Sequence, residues 1–189
     1  LPWPLQAEPA FLNTPAGRVA VYRAGVEQPD QQVPLLLVHS VNAAASALEV
    51  APLFEHYRST RAVWALDLPG YAHSDRTERL YTPRLMTDAL LAVVRHIVEH
   101  TGAGAVDVLG LSLGGEFVVR AQTEAPGLIR RVALVSPTGF NARKLRRGPP
   151  GSTLMVPWLY RWLTRPVRGD GLQADAGRVD DLEADDAGL

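Results

Sequence analysis

Short apolar runs alternate with longer amphipathic segments along the first 136 residues of the chain. One run alternates apolar and polar positions, as a half-buried strand does, and four others are rich in Val and Leu, as buried strands are. These five predicted strands are residues 18–23, 35–39, 62–67, 105–109 and 129–136. Helical periodicity marks residues 43–57, 83–100 and 113–125, and the second helix has Thr82 as its predicted N-cap with Pro83 at its first position. Strands that alternate with helices predict an α/β fold, with a mostly parallel sheet flanked by helices.

The composition excludes several classes of site and partner. The 189 residues are 47% hydrophobic with a net charge of -1, so one sizeable core is expected and nucleic acid is not an expected partner. Cys is absent, which excludes disulfides, thiol nucleophiles and thiolate metal sites. The longest aliphatic run, residues 35–38, is far shorter than the ~20 residues that span a bilayer. The first twelve residues contain three prolines and no basic residue, unlike a signal peptide, and we expect a cytoplasmic protein without a transmembrane segment.

Charge divides the chain into three regions. Residues 1–136 carry 11 basic and 13 acidic residues, residues 137–168 carry 7 basic and no acidic residues, and residues 169–189 carry 1 basic and 7 acidic residues. Such shifts mark boundaries between domains or insertions. We predict a core over residues 1–136, a partial cap or lid over residues 137–168, and an acidic, disordered tail over residues 169–189, which has too few apolar residues to form strands.

A Gly-x-Ser-x-Gly motif joins a predicted strand to a predicted helix. It consists of Gly110, Ser112 and Gly114 with Leu111 and Leu113 between them. A sharp strand-to-helix turn needs such small neighbours, because a Cβ at either glycine would crowd it. The turn exposes the Ser112 hydroxyl above the sheet and places the Leu113 amide at a helix N-terminus, where a developing oxyanion is favoured. The alternative is a glycine-rich turn with an ordinary N-capping serine.

Two further stretches indicate a family. Residues 35–42, LLLVHSVN, and residues 65–75, ALDLPGYAHSD, precede the motif in the order typical of the α/β-hydrolase fold. The chain resembles that family over about residues 16–140, which implies the N-terminal part of its sheet, with the C-terminal strands missing. The resemblance implies that Ser112 is the nucleophile of an esterase-like acyl transfer to water, and that the amides of Leu113 and Val41 form the oxyanion hole. This sequence has Ser40 and Ala72 at two positions where the family usually has Gly.

The histidines raise two other kinds of chemistry, a general base and a metal site. His39 and His73 lie inside the stretches that carry the resemblance, where such a residue is usually structural rather than a general base. His96 and His100 match the H-x-x-E-H pattern of one metalloprotease group, but they lie at the end of a helix and no third ligand is evident. We therefore predict no metal site and no cofactor.

The residues expected downstream of Ser112 are missing from this sequence. Hydrolases of this type order the triad as Ser, then Asp or Glu, then His, whereas all five histidines here lie at or before residue 100. The favoured interpretation is a serine hydrolase truncated within its cap, with its base in a partner chain or a missing C-terminal half. The alternative is a catalytically inactive binding protein of this fold, or a gene fragment.

The last two regions bear on that choice. Residues 156–163 are dense in aromatics, which suits an apolar lid over a small apolar ester-like substrate; a membrane-surface helix is the competing interpretation. Of the 19 basic residues, 18 are Arg, which suggests GC-rich coding DNA, and a shifted frame or truncation after about Arg165 would explain the tail; a natural acidic tail is the alternative. If the C-terminal strands are absent, residues 129–135 form an exposed edge, and we expect self-association through it.

Overall fold

The computed structural model describes residues 2–7, 9–25 and 33–138, and within those ranges it contains six strands and three α-helices. The strands are β1 (Pro9–Thr14), β2 (Gly17–Ala24), β3 (Leu35–Val38), β4 (Val63–Leu66), β5 (Val106–Leu111) and β6 (Ile129–Val135). The helices are α1 (Ala51–Tyr57), α2 (Pro83–Thr101) and α3 (Gly114–Glu124), and a 3-10 turn, Ala47–Val50, leads directly into α1.

All six strands form one sheet in the order β1-β2-β4-β3-β5-β6. Strands β1 and β2 form an antiparallel hairpin, and β2 also pairs antiparallel with β4. The remaining four strands run parallel to one another, so their carboxyl ends meet at one edge of the sheet. The predicted fold class, a mostly parallel sheet flanked by helices, is confirmed.

Two hydrophobic cores lie on opposite faces of this sheet. Alternate residues of β3 point to opposite faces, so that Leu36 joins the core beneath α2 and α3, while Leu37 joins the core beneath α1. Both faces are covered at the centre, and every residue of β3 and β4 is buried. This burial explains why the central strands are continuous apolar runs rather than alternating ones.

The first helix begins later than predicted, whereas the N-cap of α2 is as predicted. The segment predicted as a single helix over residues 43–57 becomes helical only from Ala47, because the Ser46 side chain accepts a hydrogen bond from the Leu48 N–H and caps the 3-10 turn. The predicted N-cap of α2 is confirmed: the Thr82 hydroxyl accepts a 3.2 Å hydrogen bond from the Leu85 N–H. Gly102, with φ of +67°, ends that helix in the left-handed conformation.

Strand β1 was not among the predicted strands. Its sequence, PAFLNT, has exposed or half-exposed side chains throughout, so it lacks the apolar pattern of a buried strand. Pairing with β2 supplies its backbone hydrogen bonds, and the guanidinium of Arg18 lies 4.5 Å from the centroid of the Phe11 ring.

Strand β6 forms the other edge of the described sheet. Its residues after Ile129 are exposed or half-exposed, including Leu134 and Val135 at 36% and 41% exposure.

No helix in the described part of the chain is long and apolar enough to cross a membrane. The predicted cap from residue 139 onward and the predicted tail lie outside the described residues.

Candidate functional site

The turn between β5 and α3 presents Ser112 at the carboxyl edge of the sheet. Ser112 has φ of +52°, a left-handed conformation that a residue with a side chain rarely adopts. Its N–H donates a 2.8 Å hydrogen bond to the carbonyl of Val135, and its carbonyl accepts one from the Gly115 N–H. The backbone of Ser112 is therefore fixed on both sides, and the side chain is half-buried. A strained, fixed backbone at such a turn is typical of a functional residue.

The two glycines of the motif have no room for a side chain. A Cβ on Gly110 would lie 2.6 Å from the Cα of Gly115 and 2.9 Å from its nitrogen. A Cβ on Gly114 would collide with the carbonyl oxygen of His39. The first helical turn of α3 thus packs directly against the backbone of β5 and of the loop after β3. This packing confirms the reason for glycine at both positions.

The loop that follows β3 lies beside this turn. Val38, the last residue of β3, is paired with Gly110 of β5, so the two strands end side by side. Val41 in the loop and Leu113 in the turn both pack against the same core, the one beneath α2 and α3. Among the described residues, neither the Val41 N–H nor the Leu113 N–H donates a hydrogen bond to another residue. These two amides thus lie in loops at the carboxyl ends of neighbouring parallel strands.

One carboxylate holds the loop after β3. Glu49, in the 3-10 turn, accepts a 2.8 Å hydrogen bond from the Ser40 N–H and a 2.5 Å hydrogen bond from the Asn42 side-chain amide. The same amide of Asn42 also donates to the Ser40 hydroxyl, at 2.8 Å. Burial raises the pKa of Glu49, but the hydrogen bonds from Ser40 and Asn42 outweigh it, and the net shift of the pKa is downward.

A second carboxylate, Asp67, lies at the end of β4 and is fully buried. Its oxygens accept hydrogen bonds from the backbone N–H of Ala47 at 2.9 Å, the Tyr22 hydroxyl at 2.6 Å and the backbone N–H of His73 at 3.1 Å. Asp67 therefore joins β2, the 3-10 turn and the loop after β4. Burial, followed by the hydrogen bond to Asp67, raises the pKa of Tyr22, so this hydroxyl remains a donor.

His39 has a structural role in this arrangement. The ring is fully buried; its Nδ1 donates to the carbonyl of Ser40 at 2.6 Å, and its Nε2 accepts from the Leu68 N–H at 2.9 Å. Burial lowers the pKa of His39, so the ring is neutral. Both ring nitrogens are engaged with backbone groups, as the predicted structural role requires. His73 contacts the Tyr22 hydroxyl and the Trp3 ring.

The H-x-x-E-H pair on α2 lies away from the motif. His96 and His100 stack on each other with ring centroids 5.8 Å apart, and both contact the edge of Trp64. Arg23 is hydrogen-bonded to His100. Burial and the neighbouring His100 lower the pKa of His96. Within the described ranges, no group of three His, Cys, Asp or Glu side chains could hold a metal ion.

Glu49 and Asn42 were not predicted as site residues. Glu49 lies nine residues from Ser40 in the sequence, and no local motif connects them. A signal was present nevertheless, since an acidic residue in an otherwise apolar segment, Ala47–Val50, requires a polar partner when it is partly buried.

Comparisons with known proteins agree with this geometry. A family model described as the α/β hydrolase fold matches residues 33–168. An esterase of Mycobacterium tuberculosis is 39% identical over 75 residues, which are 39% of this chain and 24% of that protein. A carboxylesterase of Bacillus subtilis is 24% identical over 136 residues, 71% of this chain and 43% of that protein. The solved naproxen esterase of Bacillus subtilis is 24% identical with a TM-score of 0.57, over 71% of this chain and 45% of that one, a likeness in fold.

This chain spans less than half the length of each of these three relatives. The family model covers well over half of this chain, and it includes the Ser112 motif and the loops after β3 and β4. The chain therefore belongs to the α/β hydrolase fold family.

Proposed function

We propose that this chain carries the nucleophile and the oxyanion hole of a serine hydrolase that cleaves small apolar esters. The observation that carries the proposal is the conformation of Ser112, held at φ of +52° between β5 and α3 by glycines that admit no side chain. Attack by the Ser112 hydroxyl on an ester carbonyl would give a tetrahedral intermediate with a negative oxygen, which collapses to an acyl-enzyme and a free alcohol. Water then releases the acid.

The Leu113 and Val41 amides are proposed as the oxyanion donors. Leu113 immediately precedes the first residue of α3, where the helix dipole adds positive potential. Val41 lies in the loop after β3, whose strand is paired with the one that ends at the motif. Two such donors in a site that excludes water are among the largest contributions to acyl-transfer catalysis.

The general base is proposed to come from outside the described residues. A serine hydroxyl is a weak nucleophile without an adjacent base. His39, whose carbonyl abuts Gly114, has both ring nitrogens engaged and a pKa lowered by burial. A partner chain or a longer C-terminal continuation would supply the base. The same observation favours a second candidate, a catalytically inactive binding protein of this fold.

The proposal extends to the substrate class and the cellular location. Esterase activity is in the names of the relatives from Mycobacterium tuberculosis and Bacillus subtilis. The aromatic residues of the predicted lid suit an apolar acyl or alcohol group. A cytoplasmic location is part of the same proposal.

Covalent labelling with a fluorophosphonate probe tests the proposal. The wild-type protein, assayed together with the partner chain or C-terminal continuation that supplies the base, is expected to label on a single serine, identified by mass spectrometry, and Ser112→Ala is expected to abolish the label. Ser136→Ala is the matched control, because Ser136 also follows a parallel strand and also has a left-handed φ, of +46°. Labelling unaffected by Ser112→Ala, or no labelling of the wild type, would support the inactive binding protein instead.

A further inference from the structure

The loop that carries the Val41 amide depends on a side chain outside the catalytic motif. Val41 stands between Ser40 and Asn42, and both of these neighbours are hydrogen-bonded to Glu49. The bonds are bidentate in effect, since Ser40 uses one carboxylate oxygen and Asn42 the other. A backbone amide whose two neighbours are fixed to one rigid group has little freedom to rotate.

The geometry points to Glu49 as the positioning residue that holds the Val41 N–H toward the oxyanion site of Ser112. This inference rests on the proposed function, because it takes Val41 as an oxyanion donor. The hydrogen bonds of Glu49 in the described part of the chain go to Ser40 and Asn42 and not to the motif, so it would act through the loop rather than on the substrate.

The support behind Glu49 is itself well ordered. Glu49 lies in the 3-10 turn Ala47–Val50, whose first residue donates its N–H to the buried carboxylate of Asp67 at 2.9 Å. Ser46 caps the same turn, and its last residue, Val50, is buried. The turn is thus anchored to the end of β4, and Glu49 extends from it to the end of β3. A chain of hydrogen bonds joins the two loops that carry the family resemblance.

Asn42 completes the loop in a way that only an amide allows. Its NH₂ group donates to Glu49 and to the Ser40 hydroxyl, while its Oδ1 accepts a 2.9 Å hydrogen bond from the Ala44 N–H. Glu49→Gln would set an NH₂ group against the Asn42 NH₂ group or remove the acceptor of the Ser40 N–H. Asn42 cannot relieve this by flipping, because its oxygen is required by Ala44. The network therefore has one arrangement that satisfies every donor.

The test combines amide hydrogen exchange with labelling by the fluorophosphonate probe. In Glu49→Gln we expect the Ser40 amide, which donates to Glu49, to exchange at least about 10-fold faster, and Ser112 to label about 10- to 100-fold more slowly, approaching the effect of losing one oxyanion donor. Glu55→Gln is the matched control: Glu55 is an exposed carboxylate on α1 that pairs with Arg58 at 3.0 Å, and its loss should change neither measurement.

A rescue experiment separates positioning from general destabilisation. Adding Asn42→Asp to Glu49→Gln restores one carboxylate and one amide in exchanged positions, and it is expected to recover most of the labelling rate. A variant that is merely less stable would not recover in this way.

The outcomes for the two proposals are distinguishable. Unchanged exchange of the Ser40 amide in Glu49→Gln overturns the inference, whether or not Ser112 reacts. Faster exchange with unchanged labelling also overturns it, because the loop would then be ordered without serving the nucleophile. Wild-type protein that does not label even with the base supplied overturns the proposed function, and the exchange data still decide whether Glu49 orders the loop.

Discussion

Adding one methyl group at Gly110 should separate α3 from β5. The Cβ of Gly110→Ala would lie 2.6 Å from the Gly115 Cα, where two carbon atoms normally stay about 3.5 Å apart or more. Helix and strand would have to move apart by about 0.9 Å on that scale. The obstacle is backbone, so no side-chain rotation can absorb the change, and Val118 at 3.0 Å blocks the alternative direction.

The expected cost of Gly110→Ala lies at the upper end of the range for overpacking, about 3 kcal/mol. For a chain of this size each kcal/mol lowers the Tm by roughly 2–4 °C, so a fall of about 6–12 °C is expected. Thermal unfolding followed by circular dichroism measures it. Gly104→Ala is the matched control, since a Cβ there meets nothing within 4 Å and its stability should change by less than about 0.5 kcal/mol.

Two results would refute this reasoning. If Gly110→Ala and Gly104→Ala have the same Tm, the close approach of α3 to β5 is absent from the protein in solution. If Gly110→Ala lowers the Tm but leaves fluorophosphonate labelling of Ser112 unchanged, the packing is real but does not set the position of the Ser112 hydroxyl.

Four further outcomes are expected. Tyr22→Phe removes the hydroxyl that donates to Asp67 at 2.6 Å and should cost about 1.5–3 kcal/mol by urea unfolding; a cost below about 0.5 kcal/mol would contradict it. Ala72→Gly should raise stability by up to about 1 kcal/mol, because φ at this alanine is +38°, and a lower urea midpoint would argue against that conformation. Burial raises the pKa of Asp107, but hydrogen bonds from two arginines outweigh burial and lower this pKa on balance. The ionised Asp107 therefore stabilises the fold fully above pH 3.8, and this stabilisation is lost as the pH falls through the lowered pKa. Asp107→Asn should flatten the acid limb of a plot of urea midpoint against pH, and an unchanged limb would contradict this. Wild-type chain at micromolar concentration should sediment as aggregates or oligomers that Leu134→Lys reduces, whereas a monodisperse wild-type monomer would count against an open edge at β6.

The central strands and the turn that carries Ser112 could be predicted from sequence because their causes are local. A parallel strand buried on both faces must be a continuous apolar run, and the turn that carries Ser112 needs glycine at fixed spacings. Strand β1 could not be predicted, because its stability comes from pairing with β2 rather than from its own side chains. The start of the first helix was also misplaced, since the Ser46 cap competes with helix formation in the residues before it.

The hydrogen-bond network around the site could not be predicted, because its members are distant in sequence. Asp67 meets Ala47 and Tyr22 from separations of 20 and 45 residues. Each of these contacts requires the sheet to have formed first, since it joins the ends of different strands. Neither the composition nor a local motif determines which loops come into contact.

The two departures from the family pattern differ in a way that only the backbone reveals. Ala72 replaces a usual glycine and has φ of +38°, so the side chain is tolerated at the cost of a strained backbone. Ser40 also replaces a usual glycine, but it is not among the described residues with a positive φ, so its side chain adds no such strain. Its hydroxyl instead accepts the Asn42 amide, while its N–H donates to Glu49. The residues on both sides of Val41 are therefore held by hydrogen bonds to one carboxylate, Glu49, rather than by a left-handed backbone.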